Sequence, residues 1–396
     1  MSVLISQDLR AAGVARVIVV VRDTAKAAVR IRSRIGKYFT GRPHYYPNLG
    51  VALGTVDREG LAGLRCEKDV VAKVTGAPEL GLIRPVRAAA VKPPSGVTWG
   101  VEAIAAPELW AEGLTGKGVI VGHLDTGVDA AHPALKGAVA AFAEFDRLGR
   151  LVKPSPKPHD TDEHGTHTAA TIAGRPVGGR RVGVAPGAGL ASAIVIEGGE
   201  VIARVLGGMD WVIGRKARVL SMSLGLSGWW DDFETITDRL RARGVLPVFA
   251  VGNEGPGTSR SPGNYWQAVS VGATDRRGSV AEFSSSQTFK RKRDPLVPDL
   301  VAPGVDVVSA APGRGYQSMD GTSMATPHVA GLAALLWEAR PKATVGQIEN
   351  AIFASCKVGP RMDRNRGNRG LPNAVRALEA LEALQAGSRG ARSKRK

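Results

Sequence analysis

Cysteine is almost missing from this chain: Cys66 and Cys356 are the only two in 396 residues. That excludes a small fold stapled by disulfides, and the two thiols are expected to stay reduced and unpaired. Neither stands beside a His or Asp, so neither reads as a nucleophile. Long apolar runs are missing as well. No stretch reaches the roughly 18 uncharged apolar residues that a membrane-spanning helix needs. The one apolar run near the start, Val17 to Val21, lies between Arg16 and Arg22 and precedes no small-residue cleavage site. It is too short for the core of a secretory signal. The two observations together lead to the expectation of a cytoplasmic protein without a membrane partner.

Acidic residues are in deficit, 36 against 53 Lys and Arg, for a net charge of +17. The excess is unevenly placed. Residues 1–97 carry a net +9 and residues 387–396 a net +5, which leaves only +3 for the 289 residues between. A terminal run such as Ser388-Arg-Gly-Ala-Arg-Ser-Lys-Arg-Lys396 is expected to be disordered and solvated. It could attract polyanions weakly, but no aromatic platform or groove-reading helix accompanies it. A specific nucleic-acid partner is therefore not expected. Hydrophobic content, at 43%, is ample for a core, and 50 glycines suit many tight strand-to-helix turns.

What is present is more specific. Gly321-Thr-Ser-Met-Ala-Thr-Pro-His-Val-Ala-Gly331 places Ser323 at a small-residue turn before an apolar run with helical spacing. A hydroxyl held there can be aimed at a carbonyl carbon, but it needs a base and an acid to orient that base. Val119-Ile-Val-Gly-His-Leu-Asp-Thr-Gly127 is an apolar strand ending in Asp125, and His164-Gly-Thr-His-Thr-Ala-Ala-Thr-Ile-Ala-Gly174 offers His164 at a helix start. Singly, these could be a turn aspartate, a surface histidine and a capping serine. Phe249-Ala-Val-Gly-Asn-Glu-Gly255 adds Asn253 directly after another apolar strand. Ligand sites in sheets covered on both faces lie beyond the strand C-termini, where Asp125 and Asn253 both stand.

Three such segments in the order acid, base, nucleophile resemble the subtilisin-like serine proteases (subtilases) from about Trp99 to about Leu384. The resemblance implies that Ser323 attacks, His164 carries the proton and Asp125 holds the imidazole, with the Asn253 amide donating to the oxyanion. It selects His164 over His167, and makes His167 and His328 structural. His123 stands where the family usually carries an apolar residue, so a buried, hydrogen-bonded histidine is expected there. Ser221-Met-Ser-Leu-Gly225 resembles the segment that pairs with an extended substrate. Ser223, Leu224, Gly225 and Gly252 are thus candidate substrate-binding residues. Arg260 falls where the family places a pocket floor, which implies a preference for an acidic residue before the cut. Trp229, Trp230 and Phe233 are read as packing residues that could also wall a neighbouring subsite.

The alternation of apolar strands and amphipathic helices predicts an α/β fold, a mainly parallel sheet with helices on both faces. Residues 99–386 would form it, as the resemblance also implies. Residues 1–78 read as a small α+β unit, with strands at Val14–Val21, Tyr45–Val56 and Val70–Val74 and helices at Thr24–Ile35 and Arg58–Arg65. Their position and element order are similar to a subtilase prodomain, a partner that packs on its enzyme and assists folding. Residues 79–98, with Pro78 just before and Pro85, Pro93 and Pro94 within, are read as an extended linker where self-processing would cut. The usual calcium loop is replaced by Arg175-Pro-Val-Gly-Gly-Arg-Arg-Val182, and Ala134 replaces a carboxylate ligand. No cofactor or metal is expected there, although calcium at a secondary site stays open. The expected function is a serine endopeptidase acting on proteins or peptides. A peptidase dedicated to one partner and an inactive binding module are the alternatives.

Overall fold

Leu246–Val251 has no polar side chain to offer water and Val119–Leu124 only His123, so both stack in the middle of the molecule. The computed structural model describes residues 3–22, 28–196, 200–289 and 291–393. The N-terminal unit contains α1 (Val3–Ala11), β1 (Ala15–Val21), α2 (Ala28–Gly36), β2 (His44–Tyr46), β3 (Val51–Val56), α3 (Arg58–Cys66) and β4 (Val71–Gly76). Its sheet has the order β2-β3-β1-β4 and is antiparallel throughout. Helix α1 was not anticipated from the sequence. The expected helix at 24–35 lies partly outside the described residues.

The next stretch is not the free linker that its prolines suggest. It forms β5 (Gly81–Leu82) and β6 (Arg87–Val91), each paired with a strand of the larger unit. That unit continues with α4 (Trp99–Ala103), α5 (Ala106–Ala111), β7 (Ile120–Asp125), β8 (Val139–Glu144), α6 (His164–Ala173), β9 (Gly189–Ile194), α7 (Val201–Gly214), β10 (Val219–Met222) and β11 (Leu224–Ser227). It then runs through α8 (Glu234–Ala242), β12 (Leu246–Ala250), β13 (Arg260–Ser261), β14 (Val269–Thr274), β15 (Gln287–Thr288) and β16 (Leu296–Val297). The last elements are β17 (Leu300–Pro303), β18 (Val307–Ala310), β19 (Tyr316–Asp320), α9 (Thr322–Ala339), α10 (Val345–Ser355), α11 (Arg364–Gly367) and α12 (Ala374–Ser393).

Seven strands make one parallel sheet in the order β17-β14-β12-β10-β7-β9-β8. Alternate side chains feed two cores. Val121, Val219, Val248 and Val271 meet α6, α9, α10 and α12 on one face. Leu124, Leu220, Met222 and Phe249 meet α7 and α8 on the other. The N-terminal sheet joins this second core through Ile18, Val20, Leu49 and Leu53. This is the expected α/β architecture with helices on both faces. One difference lies at the end of the chain. Helix α12 runs to Ser393, so residues 387–393 are helical where a disordered tail was expected, because the Ala-, Leu- and Glu-rich run before them favours helix propagation. No helix among the described residues is long and apolar enough to cross a membrane.

Candidate active site

Strand β7 is buried from Val121 onward and ends at Asp125, the last residue paired with β9 at the sheet's C-terminal edge. The chain turns at Thr126-Gly127, and α6 begins close by. Asp160 laces the two together: its carboxylate accepts from Thr126 Oγ1 at 2.7 Å and from the Thr166 amide at 2.6 Å. Thr126 Oγ1 accepts in turn from the Gly165 amide at 2.9 Å. Only glycine fits at 165, because a Cβ there would lie 2.2 Å from the Gly127 carbonyl oxygen. His164, the first residue of α6, is thereby presented to Asp125, and its Nδ1 lies 2.7 Å from Asp125 Oδ1. Both side chains are buried.

Charge follows from this contact. Burial opposes ionisation of Asp125, but the His164 ring, the nearby His123 and the Thr126 amide outweigh it and hold the carboxyl below its ordinary range. Burial likewise works against a charged His164, yet the Asp125 charge and hydrogen bond raise its pKa above the usual imidazole value. The other ring nitrogen, Nε2, is buried and has no hydrogen-bond partner among the described residues. In the neutral ring, with Nδ1–H donating to the aspartate, Nε2 carries a lone pair free to accept a proton. That is the state a general base requires.

Ser323 sits in the first turn of α9, which packs against α6. Pro327 has no N–H, so the Ser323 carbonyl loses its usual partner four residues on; the Ser223 hydroxyl reaches it at 3.4 Å instead. Asn253 follows β12 beside Gly252, whose φ of +123° suits glycine. Thr322 orients the Asn253 amide by donating to Oδ1 from its backbone N at 2.9 Å and its hydroxyl at 2.8 Å.

The cleft holds the chain's own residues 80–86. The Ile83 amide donates to the Ser223 carbonyl at 2.9 Å, while Leu82 and Gly81 pair antiparallel with Leu224 and Gly225. Ser323 Oγ donates to the Ile83 carbonyl at 2.6 Å, and Asn253 Nδ2 donates to the Arg84 carbonyl at 2.9 Å. Arg84 Nη1 reaches Asp162, two residues before His164, at 3.2 Å. The side chains of Leu80 and Ile83 are buried in the cleft wall. The serine hydroxyl is thus turned to a peptide carbonyl, and the serine–imidazole bond expected from sequence is not made in this arrangement.

The other sequence candidates fall as follows. Arg260 lies beside Gly225, but its Nε donates to Glu254 Oε1 at 2.7 Å and its Nη1 to the Gly225 carbonyl at 3.2 Å. Glu254 takes the charge that an acidic substrate side chain would need. Trp229 packs edge-on to Tyr265 and against Phe289, and Phe233 is buried. His167 Nε2 contacts the Val307 carbonyl oxygen at 3.0 Å and His328 Nδ1 the Met324 carbonyl oxygen at 2.8 Å, both inside the core. Sequence reasoning missed Thr322, Glu254 and Asp160. Only Asp160, in the run Asp160-Thr-Asp-Glu163 just ahead of His164, had a local signal, that of residues preceding a helix.

The subtilase family model matches residues 116–375, about two thirds of the chain. The chain belongs to the subtilase family. It is 38% identical over 256 residues to the M-protease of Shouchella clausii (strain KSM-K16), covering 64% of this chain and 63% of that protein. Subtilisin Savinase of Lederbergia lenta is likewise 38% identical over 256 residues, covering 64% of this chain and 89% of the relative. Subtilisin E of Bacillus subtilis (strain 168) is 35% identical over 263 residues, with 65% of each chain covered. This subtilase thus spans just under two thirds of the length of several relatives, and its first 115 residues lie outside the family match.

Proposed function

We propose that this subtilase is a serine endopeptidase made with its own N-terminal segment lying in the substrate cleft. Ser323 attacks the peptide carbonyl, His164 takes the hydroxyl proton through Nε2 and returns it to the leaving amine, and Asp125 stabilises the imidazolium. The acyl-enzyme is then hydrolysed by water. Asn253 Nδ2 donates to the oxyanion as it forms. One observation carries this reading: two successive carbonyls just past β5, those of Ile83 and Arg84, are held by Ser323 and Asn253, while the Ile83 amide and β5 itself pair with Ser223–Gly225. A peptide added as a β-strand in the same register would be a substrate.

Residues 1–78 act as a prodomain in this reading, and 79–98 contain the self-processing region. In the observed register neither carbonyl is addressed by both groups, since the hydroxyl meets Ile83 and the amide meets Arg84. The segment therefore occupies the cleft as an inhibitor until it shifts. The test is fluorophosphonate labelling with intact-mass analysis of wild type and Ser323→Ala. Wild type is expected to label and to lose its N-terminal unit by a cut within 79–98; the variant should do neither. Equal labelling and processing in both would discard the reading and favour a binding module.

A further inference from the structure

Around Asp125 Oδ2, the carboxylate oxygen His164 does not use, three polar side chains stand where a parallel sheet packed on a helix ordinarily holds apolar ones. His123 lies two residues before the aspartate on β7, Ser192 is its direct register partner on β9, and Thr168 is one turn after His164 on α6. All three are buried, so each polar atom needs a partner. His123 Nδ1 is 2.9 Å from Ser192 Oγ, and Nε2 is 2.8 Å from Thr168 Oγ1. Thr168 Oγ1 is 3.2 Å from Asp125 Oδ2, the carboxylate oxygen that His164 does not use.

The direction of this chain follows from its end. An ionised Asp125 only accepts, so a Thr168 hydroxyl facing it donates to Oδ2. The same hydroxyl is also 3.2 Å from the His164 and Gly165 carbonyls. A carboxylate is the stronger acceptor, so the hydroxyl donates to it rather than to the carbonyls. Thr168 Oγ1 then accepts from His123 Nε2–H, which leaves Nδ1 to accept from the Ser192 hydroxyl. Every member is satisfied in a single sense, Ser192 to His123 to Thr168 to Asp125. Burial supports a neutral His123, lowering its pKa to about 4 although Asp125 raises it; the nearby His164 lowers it further.

We propose that Ser192, His123 and Thr168 form a positioning relay that ties down the second oxygen of Asp125 and so sets how firmly the aspartate holds the His164 imidazolium. The inference rests on the triad proposed above. None of the three touches the reacting atoms. Thr168 supplies a donor without adding a second positive charge beside His164, and His123 keeps that donor from turning to the helix carbonyls. Without the donor, the negative charge concentrates on the oxygen facing His164 and the carboxylate is freer to rotate.

Kinetics of the full chain separate the outcomes. Ser323→Ala comes first: residual activity equal to wild type would overturn the triad and the relay together. With that activity lost, Thr168→Val is expected to lower kcat about tenfold at the pH optimum with KM unchanged. The acid limb of kcat/KM should move up by about half a pH unit. Thr168→Ser, which keeps the hydroxyl, should restore both, and His123→Leu should cost less and add nothing to Thr168→Val. A Thr168→Val enzyme with wild-type kcat and pH profile would sink the relay, as would an equal loss in Thr168→Ser. Should Thr168→Val not fold, the low-field proton resonance of His164 Nδ1–H in Ser323→Ala protein decides. It is expected to shift on adding His123→Leu, and an unmoved resonance overturns the relay.

Discussion

At the scale of single residues, hydrogen-bond partners set His164 apart from the other buried histidines. Five of the seven histidines lie in the interior, yet only His164 has a carboxylate on Nδ1 and an unpartnered Nε2. His123, His167 and His328 are held neutral, with pKa values pushed down by burial to about 4, about 3 and about 4. Between those values and the ordinary imidazole pKa near 6.5 the unfolded chain binds protons that the native state refuses, so stability rises with pH there. The three contributions are complete above about pH 6.5 and are lost as pH falls towards about 4 for His123 and His328 and about 3 for His167. Thermal melts of Ser323→Ala protein, which cannot digest itself in this reading, should show Tm falling from pH 7 to pH 4. The fall should be shallower in His123→Leu. A pH-independent Tm across that window would contradict neutral burial.

At the scale of elements, one arginine occupies a place that matters for metals. Arg175, just past α6, donates from Nη1 to the carbonyls of Ala173 at 3.1 Å, Pro186 at 2.5 Å and Ala188 at 2.8 Å. Its Nη2 donates to the Gly137 carbonyl at 3.0 Å. A fixed guanidinium thus satisfies four convergent carbonyl oxygens without an ion, in the loop where the sequence carries cations instead of ligands. Among the described residues no group of three or more His, Cys, Asp or Glu could hold a metal. A chelator is expected to leave Tm unchanged, whereas Arg175→Met should lower it by roughly 5 °C or more, since each stranded carbonyl costs on the order of 1 kcal/mol. A large chelator-induced drop would place a calcium site back in the molecule.

At the scale of the whole molecule, the N-terminal unit is docked by polar contacts as well as by the shared core. Asp210 on α7 accepts from the amides of Asn48 at 2.6 Å and Leu49 at 2.9 Å, and Asp232 accepts from the Gly76 amide at 2.8 Å. Burial raises the Asp210 pKa, with the amides of Leu49 and Asn48 opposing the shift. Asp210→Ala would leave those amides without their acceptor, about 1–3 kcal/mol of docking lost for each one left buried. In the proposed proenzyme the variant should release its N-terminal unit sooner, read as a shorter lag before peptidase activity appears. An unchanged lag would mean that the unit is held by the core and the cleft strand alone.

How much was legible beforehand differs along the same lines. Asp125, His164, Asn253 and Ser323 each sit at the end of an apolar strand or the start of a buried helix, inside runs of small residues. Such signals are local, and the resemblance of their flanking motifs, in that order, to the subtilases is what singled these residues out. The parallel sheet was legible because strands buried on both faces must be apolar throughout. The partner of Arg260 was not, although Glu254 is only six residues away, because the bend after Gly252 that brings them together leaves no pattern in the side chains. Nor was the fate of residues 80–86. Prolines mark that stretch as extended, and an extended strand can lie free or pair with any open edge.

Sequence alone therefore determined the chemistry on offer: which groups could attack, take a proton and bind an oxyanion, and the strands that would carry them. Tertiary structure decided which oxygens those groups meet. The Ser323 hydroxyl bonds the Ile83 carbonyl, Glu254 takes the Arg260 charge, and His123 reaches toward Asp125 through Thr168. The physical reason is range. Strand and helix preferences act over a few residues, whereas a hydrogen bond between residues 240 positions apart exists only after the whole chain has packed.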